Sequence, residues 1–203
     1  MTRSISSLAA LLLLTACATV PADTDPNVVL QTELGEIEIE VYPDRAPLSA
    51  GDFLKYVDEG LYDGEGFYRV VRADNDARGQ GMSLIQGGVI GDEFDTPPIA
   101  HERTTETGLS NVRGVVSIAR LEPGTGSAGF FFINIGDNSF LDTGGMRNPD
   151  GEGYATFGRV VRGMDVVEAI QAGDTGAKSP YAVTDTQYLT EPVIITRAFR
   201  TGE

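Results

Sequence analysis

The chain has 203 residues, 41% hydrophobic and 22% charged, a length and mix that suit one globular domain with a core of useful size. Thirty acidic residues against 15 basic ones leave a formal net charge of −15, which repels phosphate backbones and makes nucleic acid a poor candidate partner. Cys17 is the only cysteine and His101 the only histidine, so an internal disulfide is excluded, and zinc sites and serine–histidine catalysis lack their parts.

The N-terminal segment stands apart from the domain. Arg3 precedes an apolar run from Leu8 to Leu14 that is too short to span a bilayer but suits the apolar part of an export signal. Leu14-Thr15-Ala16-Cys17 matches a lipobox, after which the cysteine becomes the acylated first residue of a bacterial lipoprotein. Ala16-Cys17-Ala18 also fits the cleavage site of an ordinary secretory signal, and that alternative stays open. The division read here is a signal peptide over 1–16, a polar, proline-bearing tether over 17–26 that begins with the lipidation site Cys17, and a folded domain over 27–203. The residues after Cys17 lack the aspartate that retains enteric lipoproteins at the inner membrane, so attachment to the outer membrane, facing the periplasm, is expected.

In the domain, Val28-Val29-Leu30 and Gly35 lead into Glu36-Ile37-Glu38-Ile39-Glu40-Val41, whose alternation predicts a half-buried antiparallel strand. Phe53, Leu54 and Val57 recur at helical spacing within Ser49–Glu59, and Gly60 stands where a C-terminal cap belongs. Strand-like runs follow at Phe67–Val71, Ser83–Gln86, Val115–Ala119, Phe130–Ile135, Ala155–Val161 and Val193–Phe199. A second helix is expected where Met164, Val167 and Ile170 share a stripe that Gly173 stops. Many short strands, glycine-rich turns and two helices point to a β-rich barrel or sandwich, with a closed sheet favoured because closure removes exposed edges.

Period-two alternation puts Arg69 of Phe67-Tyr68-Arg69-Val70-Val71 on the same face as Phe67 and Val71, so a cation points toward the side that should be apolar. Taken alone, such an arginine reads as an ion-pair partner. Downstream, in order, come Leu84-Ile85-Gln86-Gly87-Gly88, Gly114-Val115-Val116-Ser117-Ile118-Ala119-Arg120 and Phe130-Phe131-Phe132-Ile133-Asn134. Together these segments resemble the cyclophilin family of peptidyl-prolyl isomerases, in particular its bacterial periplasmic members, over about Val28 to Phe199.

The resemblance implies an eight-stranded closed antiparallel β-barrel capped by two helices, with the active groove on its outer wall. It implies Arg69 as the catalytic donor, Phe132 and Leu141 as lining of the proline-ring pocket, and Gln86 as a hydrogen-bonding partner near the substrate carbonyl. Ala119 and Arg120 would line the groove for the residue before proline, with Tyr154 and Phe140 where relatives carry histidine and tryptophan. Two departures stand out. Phe130, expected among the substrate-binding residues, takes the place of the family's second glutamine, and Arg72 to Met82 lengthens the loop after the arginine strand by about nine residues. Ser83 falls where a pocket phenylalanine belongs; either Leu84 or the folded-back loop can replace that wall.

Other motif matches fail on chemistry. Asp142-Thr143-Gly144 would need a second aspartate sharing a proton, and Asp74-Asn75-Asp76-Ala77-Arg78-Gly79 puts Arg78 on a calcium-ligand position. The expected activity is therefore peptidyl-prolyl cis-trans isomerisation of unfolded or exported envelope proteins. It requires no cofactor and no metal, and the chain is expected to be a monomer that meets the membrane only through its lipid anchor. The alternative is a proline-peptide-binding or chaperone module on the same fold with little turnover.

Overall fold

The computed structural model describes residues 26–90, 96–180 and 184–201. The export signal, the lipobox with Cys17 and nearly all of the tether lie outside the described residues. Eight strands, β1 (Asn27–Thr32), β2 (Gly35–Val41), β3 (Gly66–Val71), β4 (Leu84–Gly88), β5 (Val115–Ile118), β6 (Phe130–Asn134), β7 (Thr156–Arg162) and β8 (Tyr188–Arg200), close into one antiparallel barrel. Around the barrel the order is β1-β2-β7-β5-β6-β4-β3-β8, and β8 returns to β1.

The alternating strand behaves as its pattern requires: Ile37, Ile39 and Val41 are fully buried. Its middle carboxylate is an exception to full exposure, because Glu38 is covered by Asn27, which donates to it at 2.8 Å, and by Arg162 at 2.6 Å. Inside the barrel Phe131 meets Phe53 and Phe67 edge-on at 5.6 and 5.8 Å, while Phe157 packs on Phe53 at 4.9 Å. Each such fully buried side chain contributes roughly 1.5–3 kcal/mol by leaving water.

Helix α1 (Pro47–Asp58) carries Phe53 into the core, and α3 (Met164–Gln171) buries Val167 and Ile170. Helix α1 starts two residues earlier than its periodicity suggests. Pro47 is preorganised for the first turn, and the Glu102 carboxylate accepts from the Leu48 and Ser49 backbone N–H groups at 3.0 and 2.7 Å. A third, one-turn helix, α2 (Thr104–Thr107), and a 3-10 turn at Ser139–Leu141 correct the two-helix expectation. Both are too short to carry a period, so only their contacts define them.

Strand β8 also starts earlier than expected, at Tyr188 instead of Val193. Pro192, which reads as a strand boundary, falls in a register irregularity between the pairs Phe67↔Val193 and Arg69↔Tyr188, where no ladder N–H is needed.

Candidate functional site

A β-bulge in β3 decides what Arg69 faces. Phe67 pairs with Gly87 and Arg69 with Gln86, so Tyr68 is an extra residue opposite two consecutive residues of β4. The bulge reverses the inside–outside phase: Phe67 and Val70 belong to the barrel core, whereas Val71 belongs to a second cluster outside it. The expectation that Arg69 shares a face with Phe67 is thus corrected, while its kinship with Val71 holds. Gly87 is part of the arrangement, since a Cβ there would sit 2.6 Å from the Phe67 ring.

The register then lays a row across three strands: Arg69 on β3 pairs with Gln86 on β4, which pairs with Phe132 on β6. Arg69 and Phe132 therefore lie on one stretch of the outer wall, about 10 Å apart at two strand spacings. Beside the row is the second apolar cluster, Val71, Met82, Leu84, Phe132 and Leu141, with Ala119, Phe140 and Tyr154 packed against it. Six of the residues expected to bind substrate are thus gathered in one place: Leu84, Ala119, Phe132, Phe140, Leu141 and Tyr154. Met82, at the end of the long loop, was not among them; buried in the cluster, it supplies apolar wall beside Ser83, whose hydroxyl instead accepts from Gln171 at 2.9 Å. The Phe132 ring is only 3% exposed and meets Tyr154 edge-on at 5.5 Å, so an incoming proline ring must exchange with side chains already packed there.

Arg69 has no ion-pair partner among the described residues; its contacts are neutral amides. Nε and NH2 both donate to Gln187 Oε1, at 2.9 and 2.6 Å, and NH1 donates to Gln86 Oε1 at 2.6 Å. Burial lowers the affinity of Arg69 for its proton, opposed by Tyr188, Tyr68 and Tyr154 and reinforced by the nearby Arg147 cation. A guanidinium nonetheless stays charged at neutral pH. Gln86 donates its amide to the Tyr68 hydroxyl at 3.0 Å, leaving its second amide N–H for a ligand.

Two expected residues sit differently. The Arg120 side chain is 1% exposed, and its guanidinium is engaged by Asp150 at 2.9 Å and the Gly153 carbonyl at 2.8 Å. It lies over the Tyr154 ring at 5.3 Å and lines a cleft with Ile118, Gly126 and Ala155. Phe130 is half-buried and packs against the barrel core rather than the outer cluster.

Two further residues near Arg69 have no signal in the sequence. Gln187 carried no motif, and Arg147 lies in a loop with no periodicity. Arg147 NH1 donates to Gln80 Oε1 at 2.7 Å and stands 3.6 Å from Asp76, joining the 72–82 loop to the loop after the 3-10 turn. The Asp76 carboxylate accepts from the Gln80 and Met82 N–H groups at 2.8 and 3.2 Å, so the segment that mimics a calcium loop folds around its own backbone. Asp142 likewise serves a turn, accepting from the Asn111 backbone and side chain, each at 2.8 Å.

Residues 27–198 match the family model for cyclophilin type peptidyl-prolyl cis-trans isomerase/CLD. The chain is 35% identical over 184 residues to peptidyl-prolyl cis-trans isomerase A of Dickeya dadantii, covering 88% of this chain and 89% of that protein. It is also 35% identical over 153 residues to peptidyl-prolyl cis-trans isomerase B of Escherichia coli, covering 73% of this chain and 86% of that one. Among solved structures, a cyclophilin type isomerase of Cryptosporidium parvum has the same fold, with a TM-score of 0.66 at 18% identity over 88% of this chain and 98% of its own. The same parasite protein solved in the presence of the dipeptide Ala-Pro superposes with a TM-score of 0.64, over 87% of this chain and 99% of its own. With an eight-stranded barrel, an arginine set in a row with Gln86 and Phe132, and a family match that spans the folded region, the chain belongs to the cyclophilin-type peptidyl-prolyl cis-trans isomerases.

Proposed function

We propose that the protein accelerates rotation about X-Pro bonds in unfolded or exported envelope proteins, as a monomer held in the periplasm by a lipid on Cys17. Amide resonance gives that rotation a barrier of roughly 18–20 kcal/mol. At the twisted transition state the prolyl nitrogen regains a lone pair, so a donor aimed at it binds that state better than either planar one. The observation that carries the reading is the Arg69 guanidinium, charged, held by neutral amides and set in the same row as Phe132 beside an apolar cluster. Three of its five N–H groups are occupied, which leaves two for substrate. The relatives named as isomerases, and the parasite structure solved with Ala-Pro, support carrying proline-containing peptides over to this groove as ligands.

The test is cis–trans exchange of a short proline peptide at low temperature, with the protein and with Arg69→Ala; equal rates would remove Arg69 from the mechanism. The lipid anchor is tested separately, since Cys17→Ala should move the protein from the membrane fraction to the soluble periplasm. A second reading, a proline-peptide binder with little turnover, is favoured by the nearly covered Phe132 ring and by Phe130 in place of a hydrogen-bonding side chain. Affinity and exchange rate measured on one peptide separate the two, because equal binding of ground and transition states gives no acceleration.

A further inference from the structure

We propose that Gln187, braced by Asn75 of the inserted 72–82 loop, is a positioning residue that sets the plane of the Arg69 guanidinium for isomerisation. This rests on the isomerase reading above. The grip on Arg69 is forked: Gln187 Oε1 accepts from Nε at 2.9 Å and from NH2 at 2.6 Å. With NH1 held by Gln86 at 2.6 Å, both sides of the planar group are fixed.

Gln187 is itself immobilised. It is 2% exposed, its Nε2 donates to the Asn75 carbonyl at 2.8 Å, and its own carbonyl accepts from the Val70 N–H at 2.8 Å. Asn75 completes the frame: its side-chain amide donates to the carbonyls of Val70 at 3.2 Å and Thr186 at 3.1 Å, while its Oδ1 accepts from the Arg72 N–H at 2.7 Å. One loop residue therefore ties the neighbour of Arg69 to the neighbour of Gln187. An insertion of this kind usually has a role of its own, and here that role is to hold the arginine.

The choice of an amide is informative. A carboxylate would grip the fork equally well but would neutralise the charge that the twisted peptide needs. A neutral oxygen orients the cation and leaves its field to the substrate. The Asn75 carbonyl fixes which way round the amide sits, because only Nε2 can face it and only Oε1 can face the guanidinium.

Gln187→Leu tests this, since it keeps a side chain of similar size and deletes both polar atoms. Its kcat for a proline peptide should fall about 10- to 100-fold, the scale on which misplacing a catalytic group acts. KM should change by less than about twofold, because the loss is confined to the transition state. The Arg69 Nε–H, bonded to Gln187 in the native protein and expected to exchange slowly there, should exchange rapidly with solvent in the variant. Asn75→Ala should reproduce both changes at smaller amplitude, and it decides the matter if Gln187→Leu does not fold. Native kcat in these variants, a loss confined to KM, or unaltered Nε–H exchange would each overturn the proposal. The two levels fail differently. An inactive Arg69→Ala beside a fully active Gln187→Leu removes the brace alone, whereas a fully active Arg69→Ala removes the role of Arg69 and the brace with it.

Discussion

Arg69→Lys keeps the positive charge and removes the fork, so it asks which of the two matters. In the native site three guanidinium N–H groups satisfy the Gln187 and Gln86 oxygens and two remain for the peptide. An ammonium has three N–H groups in all; satisfying both amide oxygens leaves one, with no fixed direction. Removing a donor aimed at charge that develops only in the transition state costs on the order of 10²–10³ in kcat, about 2.7–4 kcal/mol. We therefore expect Arg69→Lys to lose about 100-fold in kcat, with peptide affinity close to native. The fold should lose less, about 1–3 kcal/mol, because the buried Gln187 oxygen, which accepts twice from the guanidinium, receives a single N–H from the ammonium. The assay is exchange between the cis and trans resonances of a proline peptide at saturating and subsaturating concentrations, with thermal unfolding measured in parallel to confirm the folded fraction. A lysine variant within about threefold of native kcat would show that a point charge suffices, and would refute the reasoning from fork geometry.

Asp76 makes stability depend on pH on the acid side. Burial pushes its carboxyl pKa up, but the Met82, Arg78 and Gln80 N–H groups and the Arg147 cation outweigh this and hold it below the ordinary value. Its contribution is complete above the unfolded pKa of about 3.9 and drains away as pH falls through the lower folded value. Asp76→Asn should flatten that acid-side slope in urea unfolding followed from about pH 6, above the ordinary carboxylate range, down to about pH 2, below it; an unchanged slope would assign it to other carboxylates. Phe130→Gln should restore a missing grip on the peptide and raise kcat/KM by about 2- to 10-fold, the value of one net hydrogen bond. An unchanged kcat/KM would show that the half-buried position of Phe130 against the core leaves a glutamine there no reach into the groove.

The loop that carries Asp76 acts mostly through contacts that no local pattern encodes. Its length, its misfit to a calcium loop and the option of folding back as pocket wall, which Met82 takes, were legible, but two further jobs were not: Asp76 with Gln80 fastens Arg147, and Asn75 backs Gln187. None of these residues follows a period, and each acts through partners far away in the chain. The contacts of Arg120 with Asp150 and of Phe130 with the core are beyond the sequence for a related reason, because position on a strand says which face a residue takes but not which neighbours already occupy it.

Local covalent geometry made the alternating strand at Glu36–Val41 and the stripes of α1 and α3 readable without coordinates, since the side-chain periods of strands and helices are properties of a few consecutive residues, whereas the ordered set Arg69, Gln86 and Phe132 was legible only through the resemblance to a family. Barrel closure decided the rest. The bulge at Tyr68 that turns Phe67 inward and Arg69 outward is defined only against β4 and β8, and the glutamine that holds Arg69 lies 118 positions further along the chain. A contact between residues so far apart comes from pairing β8 with β3, a tertiary event that no local period encodes.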